Sequence, residues 1–260
     1  MLRLLRAEWL KLKSYRAFWL CALLYLISLP GLIMSLHTFN IKLGGGTSIG
    51  FSFYHFPVVW HNITFIAGWF NLLLYFFFIL LITNEFQFRT LRQHIIDGLS
   101  REQVLLSKGL LVLIFSTLST LLVGVLGLIC GFTLSDSPPT GMALVTQKIA
   151  FLGAFWLQNT AYLSFATFLS LIIQKQGFTI LFFLIYGIVL ENLLRFRVLP
   201  EFSAQYLPLR NFGELLPSIF NNLLDQPSPD GPATQVVVVS LIYIILLWGG
   251  SWAWLKTRDL

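Results

Sequence analysis

The run VVWHNITFIAGWFNLLLYFFFILLIT, Val58–Thr83, goes about twenty-five residues without an Asp, Glu, Lys or Arg. At roughly 1.5 Å per residue, a helix of that length crosses a hydrocarbon core of about 30 Å. Inside lipid every backbone amide must find its partner within the segment, so a run of this kind is a helix. Five more stretches share the character: Ala17–Leu36, Gly109–Phe132, Ile149–Ile173, Gly177–Leu194 and Gln235–Leu255. The prediction is an all-α fold, a polytopic membrane protein with six transmembrane helices. The first stretch is longer than the core of a signal peptide and no small-residue cleavage site follows it, so it is expected to be retained, with a kink at Pro30.

Composition supports this reading. Charged residues make up 11% of the chain, against roughly 25% in a soluble domain, which excludes a water-soluble globule. The formal charge of +6 does not point to nucleic acid, because the basic residues gather at the ends of the apolar runs. Twelve Lys and Arg fall on one side of the predicted spans and five on the other. Basic residues concentrate on the cytoplasmic side and meet anionic lipid there, so both termini are expected to be cytoplasmic. The whole of 1–260 then reads as one transmembrane domain: a cytoplasmic segment 1–16, a cytoplasmic segment 84–108 and a long external loop 195–234. His37–Pro57 and Thr133–Lys148 are also external. The long loop is Pro-rich, and its mixed Tyr206–Leu224 stretch suggests short helices lying on the outer membrane surface. Cys21 and Cys130 fall at opposite faces, too far apart for a disulfide.

The segment NEFQFRTLRQHIIDGLSREQVLLSK, Asn84–Lys108, places seven charged residues between two apolar runs. Read as a helix, Glu85–Asp97 puts Phe88, Leu91, Ile95 and Ile96 on one face and Arg89 and Arg92 on the other. Gly98 is placed to end that helix in the left-handed conformation. Ser100 and Gln103 form a capping box that starts the next one, with Lys108 snorkelling at the interface. Two roles are open to such an element: resting on lipid, or docking a cytoplasmic partner, which its mixed charge favours. The N-terminus repeats the theme. Leu2, Leu5, Trp9 and Leu12 share one helical face, and Arg3, Arg6, Lys11 and Lys13 lie on others, as in an amphipathic elbow helix on the inner surface.

With LLRAEWLKLK at the N-terminus, six spans, and EFQFRTLRQHIIDGLSREQVLLSK after the second, the chain resembles the membrane (permease) subunit of a bacterial ABC-2 type ABC transporter. The architecture matches along the whole chain, and about 40 residues carry the recognisable sequence. Glu85, Thr90-Leu91, Ser100-Arg101 and Lys108 match the family pattern, whereas Arg89 stands where a glycine is common. The resemblance implies that 85–97 is a coupling helix seated in a separate P-loop ATPase. Glu85, Phe88, Arg89, Leu91, Arg92, Ile95, Ile96 and Asp97 would be its docking residues, and the elbow helix a second contact. It also implies two ATPase copies holding the ATP and Mg, a second permease subunit (the same chain or a sister) meeting this one through spans two and five, and export across the bacterial cytoplasmic (inner) membrane.

The chain itself carries no G-x-x-x-x-G-K-[ST], so no P-loop nucleotide site and no cofactor is expected in it. Leu43–Gly50, LGGGTSIG, reads as a flexible loop. His37, His55 and His61 surround the first external loop without a carboxylate or thiolate that would make them a metal site. Polar residues inside the spans, Asn62, Asn71, Gln158, Asn159, Thr160 and Ser164, either line a substrate path or bond one helix to another. Glu191 is the one acid deep in a span, a candidate for the path by the rarity of such residues, although Arg195 stands at ion-pair spacing. Gly127 and Gly131 form a GxxxG packing step. Two rival readings differ in class. One is a non-transporting membrane scaffold or immunity protein that docks a cytoplasmic partner; the other is a membrane enzyme, for which no catalytic set is present.

Overall fold

A computed structural model describes residues 8–13, 15–35, 41–43, 47–49, 53–88, 90, 100–135, 141–197, 206–219 and 230–257. Arg89 and residues 91–99, which hold Leu91, Arg92, Ile95, Ile96 and Asp97, lie outside them. Helix α1 covers residues 8–13, and α2 runs Arg16–Ser35. Two short strands, β1 (Ile41–Leu43) and β2 (Thr47–Ile49), pair antiparallel with Ile41 opposite Ile49. The glycine-rich stretch therefore supplies the second strand of a small hairpin, where a loop was expected.

Helix α3 (Val59–Gln87) and α4 (Arg101–Thr133) follow, then a short α5 (Met142–Thr146), α6 (Ala150–Ile173), α7 (Gln176–Arg197), α8 (Pro208–Glu214) and α9 (Thr234–Thr257). Helix α7 widens to a π-helical turn at Tyr186–Leu190. Among the described residues, five helices are long and apolar enough to cross a membrane: the Phe18–Ser35 stretch of α2, α3, α4, α7 and α9. The outer surface of the bundle is itself apolar, with Leu24, Ile27, Leu118, Leu121, Ile245 and Leu246 exposed. A soluble monomer would not leave such a surface open to water, so this is a multi-pass membrane protein.

Helix α6 occupies the place of the fourth expected span and at 24 residues is long enough for it. It differs from the others in being enclosed: α3, α4, α7, α8 and α9 all pack on it. Enclosure explains its composition, since Gln158, Asn159, Thr160, Ser164, Thr167 and Ser170 are all buried against neighbouring helices, away from lipid. Two apolar clusters fill the bundle, one around Phe78, Ile82, Leu163 and Phe212 and one around Leu29, Ile33, Ile63 and Phe155. Residues of α6 belong to both.

The glycine step is a packing device of a particular kind. A Cβ on Gly131 would stand 2.5 Å from the Phe56 ring and one on Gly127 2.8 Å from the Trp60 ring. The two glycines thus let the Phe56 ring, just before α3, and the Trp60 ring, in its first turn, approach α4 closely. The long loop departs from expectation. Its described helix α8 is packed more deeply than a surface helix needs to be, against α6 and α9 and bonded to Glu191 of α7, with Leu209, Asn211 and Phe212 buried.

Candidate functional site

The polar residues inside this bundle fall into three groups, and the densest lies where α1 meets the end of α3 and the beginning of α4. The capping box forms as the sequence predicts: the Ser100 hydroxyl accepts from the Gln103 amide at 3.2 Å, and the Gln103 side chain accepts from the Ser100 amide at 3.0 Å. That fixes the register of α4 and turns Lys108, two turns later, inward. Lys108 does not snorkel; it is 1% exposed. Its ammonium donates to Glu8 at 2.8 Å and to Glu85 at 2.5 Å. Lys11 also donates to Glu85, at 3.0 Å, and the Ser107 hydroxyl donates to Glu8 at 3.2 Å.

Glu85 therefore sits in the last turn of α3, since the helix runs unbroken to Gln87. It is buried and faces the bundle, so it serves the root of the 85–108 segment and is not on an outward docking face. Phe88, one residue past α3, is 70% exposed and stays available. The elbow is also rotated relative to its predicted face: Glu8 and Leu12 turn inward while Trp9 points outward. Two acids and two lysines make the cluster neutral as a set, which offsets the desolvation that isolated charges would suffer here. A polar layer continues beside it. Asn84 donates to the Tyr15 hydroxyl at 2.7 Å, and Gln176, at the start of α7, donates to Asn84 and to Gln87. One bracket thus joins α1, the start of α2, the end of α3, the start of α4 and the start of α7. A cleft of about 160 Å³ opens next to it, with Phe88 and Thr90 at its mouth.

The second group is uncharged and lies in mid-bundle. Asn71 accepts from the Tyr25 hydroxyl at 2.5 Å and donates to Asn159, which also accepts from Tyr75 at 2.9 Å. Ser119 completes the set, 2.8 Å from Tyr25 and 3.3 Å from Asn71. Both asparagines are fully buried. Their amides are used in joining α2, α3, α4 and α6, the interhelical role that was the alternative to a substrate path. Asn62 is likewise engaged, donating to the Phe53 carbonyl at 3.1 Å.

The third group is at the opposite end of the bundle from α1. Glu191 does not make the expected pair with Arg195. Its two carboxylate oxygens accept from the backbone amides of Leu209 and Arg210, at 2.8 and 2.7 Å, at the start of α8. Tyr162 and Gln158 donate to the carbonyls of Leu209 and Phe212, both at 3.0 Å, and Ser240 donates to Asn211 at 2.8 Å. These side chains satisfy backbone groups that the packing of α8 against the bundle takes out of solvent. His61 bonds the Pro217 carbonyl at 2.8 Å and stacks on Phe151. It acts in this packing, and among the described residues no group of three His, Cys, Asp or Glu could hold a metal. A groove of about 460 Å³ runs beneath α8 between α3, α6 and α7, with Trp69, Tyr75, Tyr162, Gln158 and Glu191 in its walls.

Sequence reading missed the Glu8–Lys108–Glu85 cluster. Its signal was the position of Glu85 and Lys108, each set at the edge of an apolar stretch; Glu8 carries no such mark. Among curated proteins, none matches the chain. The family model described as ABC-2 family transporter protein matches residues 4–190, from the elbow to the π-helical turn of α7.

Proposed function

This chain belongs to the ABC-2 transporter family, and on that premise we propose that it is the permease subunit of an ATP-driven exporter in the bacterial cytoplasmic membrane. Both termini and the 84–108 segment face the cytoplasm. A separate P-loop ATPase, in two copies, binds ATP and Mg and seats the coupling segment through Phe88, Leu91, Ile95 and Ile96, with Arg89, Arg92 and Asp97 at the rim. A second permease subunit completes the assembly through spans two and five, and substrate crosses between the two by alternating access. The observation that carries this reading is the bracket. Both roots of the 85–108 segment are tied to each other and to the elbow helix by buried ion pairs. An element that receives a push from outside the membrane needs such a rigid base, whereas one that merely floats on lipid does not.

The test is a mild-detergent pull-down of the tagged protein beside an Ile95→Asp/Ile96→Asp variant, with recovered proteins identified by mass spectrometry. A P-loop ATPase should accompany the wild type and fall by about thirtyfold or more with the variant, the loss expected for an apolar anchor worth ~2 kcal/mol or more. Equal recovery with both would overturn the docking face. No ATPase with the wild type, in cells expressing one, would favour the scaffold reading instead.

A further inference from the structure

We propose that Lys108 is a positioning residue: a single buried ammonium that clamps the elbow helix and both roots of the coupling segment into one body. Three observations carry this. First, Lys108 is the shared partner of two carboxylates that come from different elements, Glu8 in α1 and Glu85 in the last turn of α3. Second, burial keeps the arrangement closed. At 1% exposure the ammonium has no route to water, and Glu8 and Glu85 are also buried, so neither acid can exchange its partner for solvent without α1 or α3 moving. Third, among the described residues of α1 the acid itself is one of two that turn into the bundle. The buried residues are Glu8 and Leu12, while Trp9, Leu10 and Lys13 are exposed.

Mechanically, a displacement entering at 85–108 cannot move α3 without moving α4, because Lys108 bridges them, nor move either without drawing the elbow along. What the clamp delivers rests on the permease reading; that it holds the elbow does not. Lys11 supports it from the partly open side, on Glu85 at 3.0 Å and Glu8 at 3.6 Å.

The clamp is tested on the full-length chain in membranes, with Cys21 and Cys130 changed to Ser and Leu12→Cys as reporter. Leu12 is 3% exposed, so N-ethylmaleimide should label this position slowly. In a Lys11→Ala background, which removes the second tie from α1 to Glu85, Glu8→Ala leaves Lys108 paired with Glu85, and the bundle intact, yet frees the elbow. Labelling should rise at least about tenfold, as local opening replaces a closed state. Lys108→Met should do the same, and Lys108→Arg, which keeps charge and reach, should bring the rate back to within about threefold of the parent. A rate unchanged by Glu8→Ala overturns the clamp, whatever the partner. A second arm uses the complex with the co-purified ATPase. There, ATP with orthovanadate should alter the labelling of native Cys130, near the other end of α4 from Lys108, and Lys108→Met should abolish that response while the ATPase stays bound. A response that survives in Lys108→Met overturns the transmission role. Failure of any ATPase to bind the wild type overturns the permease reading alone, and the elbow measurement still decides the clamp.

Discussion

The charged bracket at the elbow end and the neutral Tyr25–Asn71–Ser119–Asn159–Tyr75 network in mid-bundle are both buried, and both join helices distant in sequence. They differ in what happens when a member is lost. A neutral network that loses one amide leaves hydrogen-bonding groups short of partners, a modest penalty in a membrane because the remaining groups find substitutes. An ion cluster that loses its buried shared cation leaves two carboxylates with only the partly exposed Lys11 between them, and the elements carrying them are driven apart. The bracket is therefore a joint that is either whole or open, and the network is a fastening that loosens by degrees. Such a difference suits one to passing on movement and the other to keeping the bundle together.

The comparison is broken most directly at Lys108. Lys108→Met should cost about 3–5 kcal/mol, the scale of a stranded buried ion pair, seen as a lowered midpoint of thermal unfolding in detergent, with Lys108→Arg far milder. Next comes Glu191→Ala at the opposite end, which takes a carboxylate from two backbone amides. It should cost about 2 kcal/mol and speed tryptic cleavage after Arg210 while leaving Leu12→Cys protected. Asn159→Leu probes the network itself and should cost about 1 kcal/mol, spread over the whole bundle in hydrogen exchange. If it costs as much as Lys108→Met, charge is not what sets the two regions apart. Smallest is Ser100→Ala, which removes half the capping box and should cost about 0.5–1 kcal/mol. It should loosen the first turn of α4 in hydrogen exchange before Lys108 lets go.

What could be read in the sequence, and what could not, divides along the same physical line. Apolar runs announce their helices because length and hydropathy are local properties, and Ser100 with Gln103 announces a helix start because the capping box spans three residues. Lys108 and Glu8 are a hundred residues apart, and nothing local says that one will meet the other. The same holds for Glu191, whose helical neighbour Arg195 offered a nearby partner while the real ones were the amides at 209 and 210. Helix α8 was misplaced because a mixed apolar and polar stretch looks alike whether its polar groups meet water or buried side chains. Of the docking residues, Glu85 and Phe88 fall among those described and the others do not.

Helix α6 has a consequence for how the protein is made. It carries Gln158, Asn159 and Thr160 side by side in mid-helix, because it spends its surface on neighbours and little on lipid. During synthesis those neighbours arrive in sequence: α3 and α4 are already in place when α6 emerges, and α7 and α9 come later. A helix bearing Gln158, Asn159 and Thr160 gains little from entering lipid alone. Leaning on α3 and α4 would lower that cost, since in the folded bundle Asn159 is bonded to Asn71, Tyr75 and Ser119. The mid-bundle network is thus also a docking berth for biogenesis, and its loss should show first as chains that are synthesised but incompletely inserted.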